Sequence, residues 1–138
     1  SRRQALVQTV DLLPTILSAL GLPADVEAHG HDLLPLVVGE QAKVRDYACL
    51  GMDVEEFAIR TREWHLILPI EPDPDDPPRG PELYRKPEDR WDQNNLAEIH
   101  PDVAEHLELT LRRFVAAVRR GAPGDLLMIQ ETARDSKD

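Results

Sequence analysis

Apolar positions recur along this chain with two different periods. Val7, Val10, Leu13, Leu17 and Leu20 follow helical spacing, and Gly21 stands where a helix would stop, so a helix ending at Leu20 is expected. Leu12, Ile16 and Ala19 widen its apolar face well beyond one stripe, which calls for cover on more than one side. The segment HGHDLLPLVVG, residues 29–39, reads as a turn and a short apolar connector that Pro35 and Gly39 keep from becoming a long helix. From Val44 the pattern shifts to short runs of β-formers, RDYACLGM, FAIRT and WHLILPI, with Arg62-Glu63 at the length of a tight hairpin but without the glycine or asparagine such turns favour. PIEPDPDDPPRGP, with six prolines and four acids, reads as an exposed loop, after which Glu-Leu-Tyr at 82–84 returns as a fourth strand. Pro101 then opens the clearest helix, with Val103, Leu107, Leu111, Phe114 and Val118 on one face, and residues 125–133 suggest one more short helix. The fold class is α+β: a small four-stranded antiparallel sheet packed by a C-terminal helix.

The 138 residues fit one compact unit. The formal net charge of −10 repels phosphate backbones and anionic lipid surfaces, so neither nucleic acid nor a membrane is an expected partner. Aromatics at 4% argue further against a base-stacking platform. Cys49 is the single cysteine, which excludes an internal disulfide and a thiolate metal cluster. No segment approaches the roughly 20 apolar residues of a membrane span. The chain opens directly on an amphipathic pattern without a methionine, as a piece of a longer protein would.

Spacing alone yields no complete catalytic set. His29, His31 and Asp32 share a glycine turn that offers no defined third ligand, and no metal is expected there. Asp73, Asp75 and Asp76 lack the glycine and closing glutamate of a calcium loop. Cys49 reads as a strand cysteine rather than a nucleophile. Asp102, Glu105 and His106 are read as a solvated helix surface. Arg60, Arg62 and His65, close to the hairpin, could present positive charge to an anion and are the candidate substrate-binding residues.

Taken in order, VQTVDLLPTILSALGLP, HGHDLLPLVVGE, FAIRTREWHLI and ELYRKPEDRWDQNNLAEIHPDVAEHLE resemble the C-terminal third of the sulfatase family, within the alkaline phosphatase superfamily. There a Val-Asp-Leu-x-Pro-Thr helix ends the large α/β domain, a Gly-x-Ser-Leu-x-Pro-Leu segment follows, an Ile-Arg-Thr strand leads to Glu-Leu-Tyr-Asp-Leu, and an Asn-Leu-Ala turn precedes a His-Pro helix. Arg85 and Lys86 replace the usual Asp-Leu, Arg90 stands where proline is common, and Asp32 replaces the serine. The resemblance implies that residues 1–40 are the tail end of the catalytic domain, 41–122 the C-terminal subdomain, and 123–138 a short helix and frayed tail. It implies that Asn94 or Asn95 shapes the corner from the last strand into the helix.

Sulfatases hydrolyse sulfate esters with a formylglycine, made from cysteine or serine in a Cys/Ser-x-Pro/Ala-x-Arg motif, and a divalent cation, usually calcium. Cys49-Leu50-Gly51-Met52-Asp53 is not that motif. The resemblance therefore implies a structural fragment with no catalytic residue or metal ligand of its own. Its partner would be the missing N-terminal catalytic domain, which would hold calcium and formylglycine and act on a sulfate ester. Left alone, the apolar face of residues 5–20 should drive homo-oligomer formation. The alternatives are a stand-alone binding or dimerisation module and a fragment of a related phosphate or phosphonate ester hydrolase.

Overall fold

The computed structural model describes residues 4–23, 29–52, 56–69 and 79–120. The acidic proline loop over 70–78, and the short helix expected at 125–133, lie outside the described residues.

A single 3₁₀ turn, Thr9–Asp11, leads into α1, Leu12–Ala19. Gly21, at φ 66°, ends α1 in the left-handed conformation, and Leu22 N–H donates to Leu17 O at 2.9 Å while Gly21 N–H donates to Ser18 O at 3.0 Å. These two bonds satisfy carbonyls that the helix end would otherwise leave unpaired. The connector forms a five-residue helix, α2, Leu34–Val38, closed by Gly39. Four strands follow: β1 Tyr47–Met52, β2 Glu56–Thr61, β3 Trp64–Pro69 and β4 Glu82–Arg85. They form one antiparallel sheet in the order β1-β2-β3-β4, and α3, Pro101–Arg119, packs across it.

Two adjacent rows of the sheet explain its two faces. Cys49, Ile59, Leu66 and Leu83 are register partners across all four strands, and each is buried in the core with Leu107 and Leu111 of α3. One residue along each strand, Ala48, Arg60, His65 and Tyr84 form the next row and point to the opposite face. The helical stripe differs in detail from the sequence expectation. Ala104, Leu107, Leu111, Val115 and Ala117 are buried, Val103 and Phe114 pack at the margin, and Val118 is 46% exposed.

The Arg62-Glu63 hairpin solves its lack of glycine with side chains. Thr61 Oγ1 accepts from Trp64 N–H at 3.0 Å, and Arg60 Nη1 donates to the carbonyls of Thr61 and Trp64, the latter at 3.0 Å. The Ile-Arg-Thr sequence thus carries the turn that follows it. At the other end of the sheet, Leu83 is fully buried and β4 is an edge strand, so its outward N–H needs a partner. Asn95 Oδ1 accepts from Leu83 N–H and from Ala97 N–H, both at 3.0 Å, and Leu96 N–H donates to Leu83 O at 2.7 Å. The corner therefore depends on Asn95. The unusual dihedral sits elsewhere, at Asp92, φ 54°. Asn94 contributes its backbone N–H, which donates to Asp89 Oδ2 at 2.8 Å.

Asn95→Val is expected to lower stability by about 1–3 kcal/mol, the cost of a buried N–H left unpaired, whereas Asn94→Val should shift it by well under 1 kcal/mol. Chemical denaturation of the two variants checks the difference, and equal midpoints would contradict it.

Candidate functional site

An aspartate inside an apolar helical run needs a reason, and the structure supplies one. Asp11 has no solvent exposure. Its carboxylate accepts from the backbone N–H of Gln8 at 2.7 Å and of His31 at 2.9 Å, and from both terminal nitrogens of Arg45 at 2.6 and 2.5 Å. Burial pushes the Asp11 carboxyl up, but the Arg45 fork and the two backbone donors outweigh it and hold the group down at about 2. Thr15 extends the junction: its hydroxyl donates to Asp11 O at 2.6 Å and accepts from Leu33 N–H at 3.0 Å. The connector comes so close that a Cβ on Gly30 would lie 2.0 Å from the Val10 carbonyl oxygen, so only glycine fits there. Gln8 Nε2 completes the attachment by donating to Cys49 O on β1 at 2.8 Å.

Beside this junction lies a cleft of about 590 Å³, between residues 4–6, the approach to β1 and the β2–β3 hairpin. Lys43, Arg45, Arg60 and Arg62 all line it, with Asp46 as the one acid. In a chain of net charge −10 this is a local concentration of positive charge. Arg45 is fixed by Asp11, Arg60 by the hairpin carbonyls, and Lys43 pairs with Asp46. Arg62 is exposed at the turn and has no ion pair among the described residues.

Of the three candidates from the sequence, Arg60 and Arg62 share this cleft and His65 does not line it. His65 is the cross-strand neighbour of Arg60, and its Nδ1 lies 3.2 Å from Asp92 Oδ1. Asp92 is also held by the buried Lys86 at 2.6 Å, whose ammonium donates to the carbonyls of Asp89 and Arg90. Tyr84 donates its hydroxyl to Glu82 at 2.7 Å, and burial, followed by that carboxylate, pushes the phenol up to about 12. Asp11, Arg45 and Lys43 were missed in the sequence. A carboxylate on an apolar helix could have signalled the first two, because its burial demands a cation.

The remaining candidates are held in structural roles. His31 is tied to Asp11 through its N–H and touches Arg45 through Nδ1 at 2.8 Å, and Asp32 accepts from Leu34 N–H at 2.9 Å. Cys49 is buried, which pushes its thiol up to about 12 and keeps it protonated. His106, expected on a solvated surface, instead buries its Nε2 without a hydrogen-bond partner among the described residues.

The chain is 27% identical over 118 residues to a zebrafish (Danio rerio) arylsulfatase K, a match that covers 79% of this chain and 22% of that protein. Among solved structures it resembles a Bacteroides thetaiotaomicron sulfatase from a core genetic locus for metabolism of multiple glycosaminoglycans, at TM-score 0.62 and 26% identity, over 80% of this chain and 25% of the other. A second neighbour, solved with its substrate D-glucosamine-2-N,6-O-disulfate, shares the fold at TM-score 0.59 and 21% identity, over 82% of this chain and 24% of its own. No protein-family model matches the chain. The chain thus spans about a quarter of the length of these relatives. Together they support its reading as the C-terminal portion of a sulfatase-family protein.

Asp11 and Arg45 are expected to behave as one unit. Asp11→Ala leaves a buried guanidinium unpaired and should cost roughly 3–5 kcal/mol; Arg45→Ala should be similar, and the double variant should cost less than the sum. Because the folded Asp11 carboxyl lies below its ordinary 3.8, near 2, about 2 kcal/mol of stability is present above pH 4 and lost as pH falls through 2. Denaturation across that window should show the loss in the native sequence and not in Asp11→Ala. Strict additivity, or the same acid profile in both, would contradict the coupling.

Proposed function

We propose that this chain is the C-terminal scaffold of a sulfate-ester hydrolase whose reaction centre lies in a preceding domain. Residues 1–40 are the end of that catalytic domain, 41–122 the C-terminal subdomain and 123–138 a tail. The observation that carries the proposal is the uncovered apolar surface of the first forty residues. Val10, Leu13, Ile16, Leu20 and, on α2, Val37 and Val38 are all exposed, with Leu20 and Val38 at 67%. These side chains form an amphipathic helix and a short neighbour pinned rigidly by a buried ion pair, a costly arrangement for a surface meant to meet only water. A body of the size missing relative to the relatives would cover it.

The described residues do not fit the sulfatase cofactors. Among the described residues no three of His, Cys, Asp and Glu gather to hold a metal ion, and Cys49 stands outside the modification motif with its thiol protonated. In this proposal calcium and formylglycine belong to the preceding domain, and Arg60 and Arg62 are contributed to its substrate. The glycosaminoglycan context of one neighbour and the disulfated glucosamine bound by another make sulfated sugars the substrate class to test. A phosphate or phosphonate ester hydrolase of the same superfamily is the alternative reading.

Supplied with calcium and a chromogenic aryl sulfate, the chain alone should give no turnover above a buffer blank, while the full-length protein should hydrolyse it in preference to the aryl phosphate. Turnover by the chain alone would contradict the scaffold assignment, and phosphate preference in the full-length protein would move it to the related hydrolases. In sedimentation velocity the isolated chain should self-associate through its apolar face as concentration rises; a clean monomer at high concentration would contradict that use of the surface.

A further inference from the structure

The sheet face that α3 leaves open does not carry the side chains of a surface made for water. An antiparallel sheet with one solvated face alternates apolar residues toward the core with polar residues toward solvent. Here the register places Leu50, Ala58 and Ile67 side by side across β1, β2 and β3, with Ala48, Arg60, His65 and Tyr84 in the next row. Ala48, Ala58 and Tyr84 are buried without belonging to the core under α3, Ile67 is half-buried, and Leu50 is 42% exposed. The polar groups on this face are already answered from within. Arg60 donates to the carbonyls of Thr61 and Trp64, His65 meets Asp92, Tyr84 donates to Glu82, and Arg79 bridges Glu82 and Glu56. Side chains paired in this way lose less when water is removed than unpaired ones would. Among the described residues, the helix packed on the sheet is α3, on the far side.

The path of the chain gives the direction from which cover would come. Residues 4–6, in the segment assigned above to the end of a catalytic domain, stand beside Arg60 of this face, and Gln8 is bonded to Cys49 O on β1. We propose that the strip Leu50-Ala58-Ile67 is a second docking surface for the preceding domain, distinct from the face of α1 and α2, so that the sheet is the middle of three layers with α3 on one side and that domain on the other. The element that docks is apolar: Ala58 between Leu50 and Ile67 forms a shallow greasy strip, and a charged element would meet no unpaired counter-charge among the described residues. The inference rests on the reading that a catalytic domain precedes this chain, and adds which face of the sheet that domain meets. The chain spans only 22% and 25% of two of its relatives, which leaves ample body for both surfaces.

Residue-resolved hydroxyl-radical footprinting of Leu50 and Ile67, in the dilute chain and in the full-length protein, tests the proposal. Both should be labelled in the chain and protected severalfold in the full-length protein. Labelling unchanged at Leu50 and Ile67 while Val10 and Leu13 of the first surface become protected would overturn this inference and leave the preceding domain standing; labelling unchanged at all four would remove that domain as well. Protection already complete in the dilute chain would assign the strip to this chain's own segments, and protection in the full-length protein that disappears on dilution would assign it to a second copy; either overturns the proposal. A substitution gives an independent readout. Leu50→Lys should leave the melting temperature of the chain within about 2 °C, as at an exposed site, and lower that of the full-length protein by roughly 5 °C or more. Leu109→Lys on the outer side of α3, at a residue 49% exposed, should leave both unchanged, and equal lowering by the two substitutions would contradict the assignment.

Discussion

A carboxylate sealed from solvent survives only if charge and hydrogen bonds replace the water it has lost, and Asp11 is matched from three directions: the backbone of its own turn, the connector at His31 and the guanidinium of Arg45. These contacts span 34 residues of sequence between Asp11 and Arg45. They fix how the opening helix sits against the approach to the sheet. Gly30 lies against the Val10 carbonyl in the same junction, and Arg45 stands in the wall of the cleft beside it. Most apolar side chains of the helix stay exposed among the described residues, so its attachment rests on this pair together with the Thr15 and Gln8 hydrogen bonds.

The sheet divides labour between its two faces. The row Cys49-Ile59-Leu66-Leu83 meets Leu107 and Leu111 and supplies the hydrophobic stability of the unit. The row containing Arg60 and His65 carries charge on the other side. Arg60 is common to both tasks, since the same guanidinium that stiffens the hairpin also lines the cleft. Substitution of Arg60 would therefore confound structure with binding, while Arg62 separates them.

Much of the fold was legible because period and punctuation agree. The strand alternation at Trp64-His65-Leu66, the two-residue hairpin and Pro101 at the head of α3 are local signals, and the structure follows them. The helical stripe shifted because Ala104, small enough to let α3 approach the sheet, joins the core while Val118 is left exposed, a packing choice that periodicity does not encode. Arg60 and Arg62 could be singled out as strand-end cations, but their meeting with Arg45 and Lys43 depends on contacts between segments far apart in sequence. His65 looked equivalent to them in the sequence, and only the positions of Asp92 and Lys86 reveal that its ring is engaged elsewhere. The role of Asn95 rather than Asn94 was set by the edge of β4, which one-dimensional reasoning could place only to within a residue.

The central claim is that the exposed face of α1 and α2 exists to meet a body lying outside this chain. Hydroxyl-radical footprinting of the isolated chain and of the full-length protein, resolved at Val10, Leu13, Ile16 and Val37, tests it most directly. Strong labelling of these side chains is expected in the isolated chain at dilute concentration, and protection of all of them in the full-length protein. Equal labelling in the two would show that the face never had a partner domain, and would contradict the account.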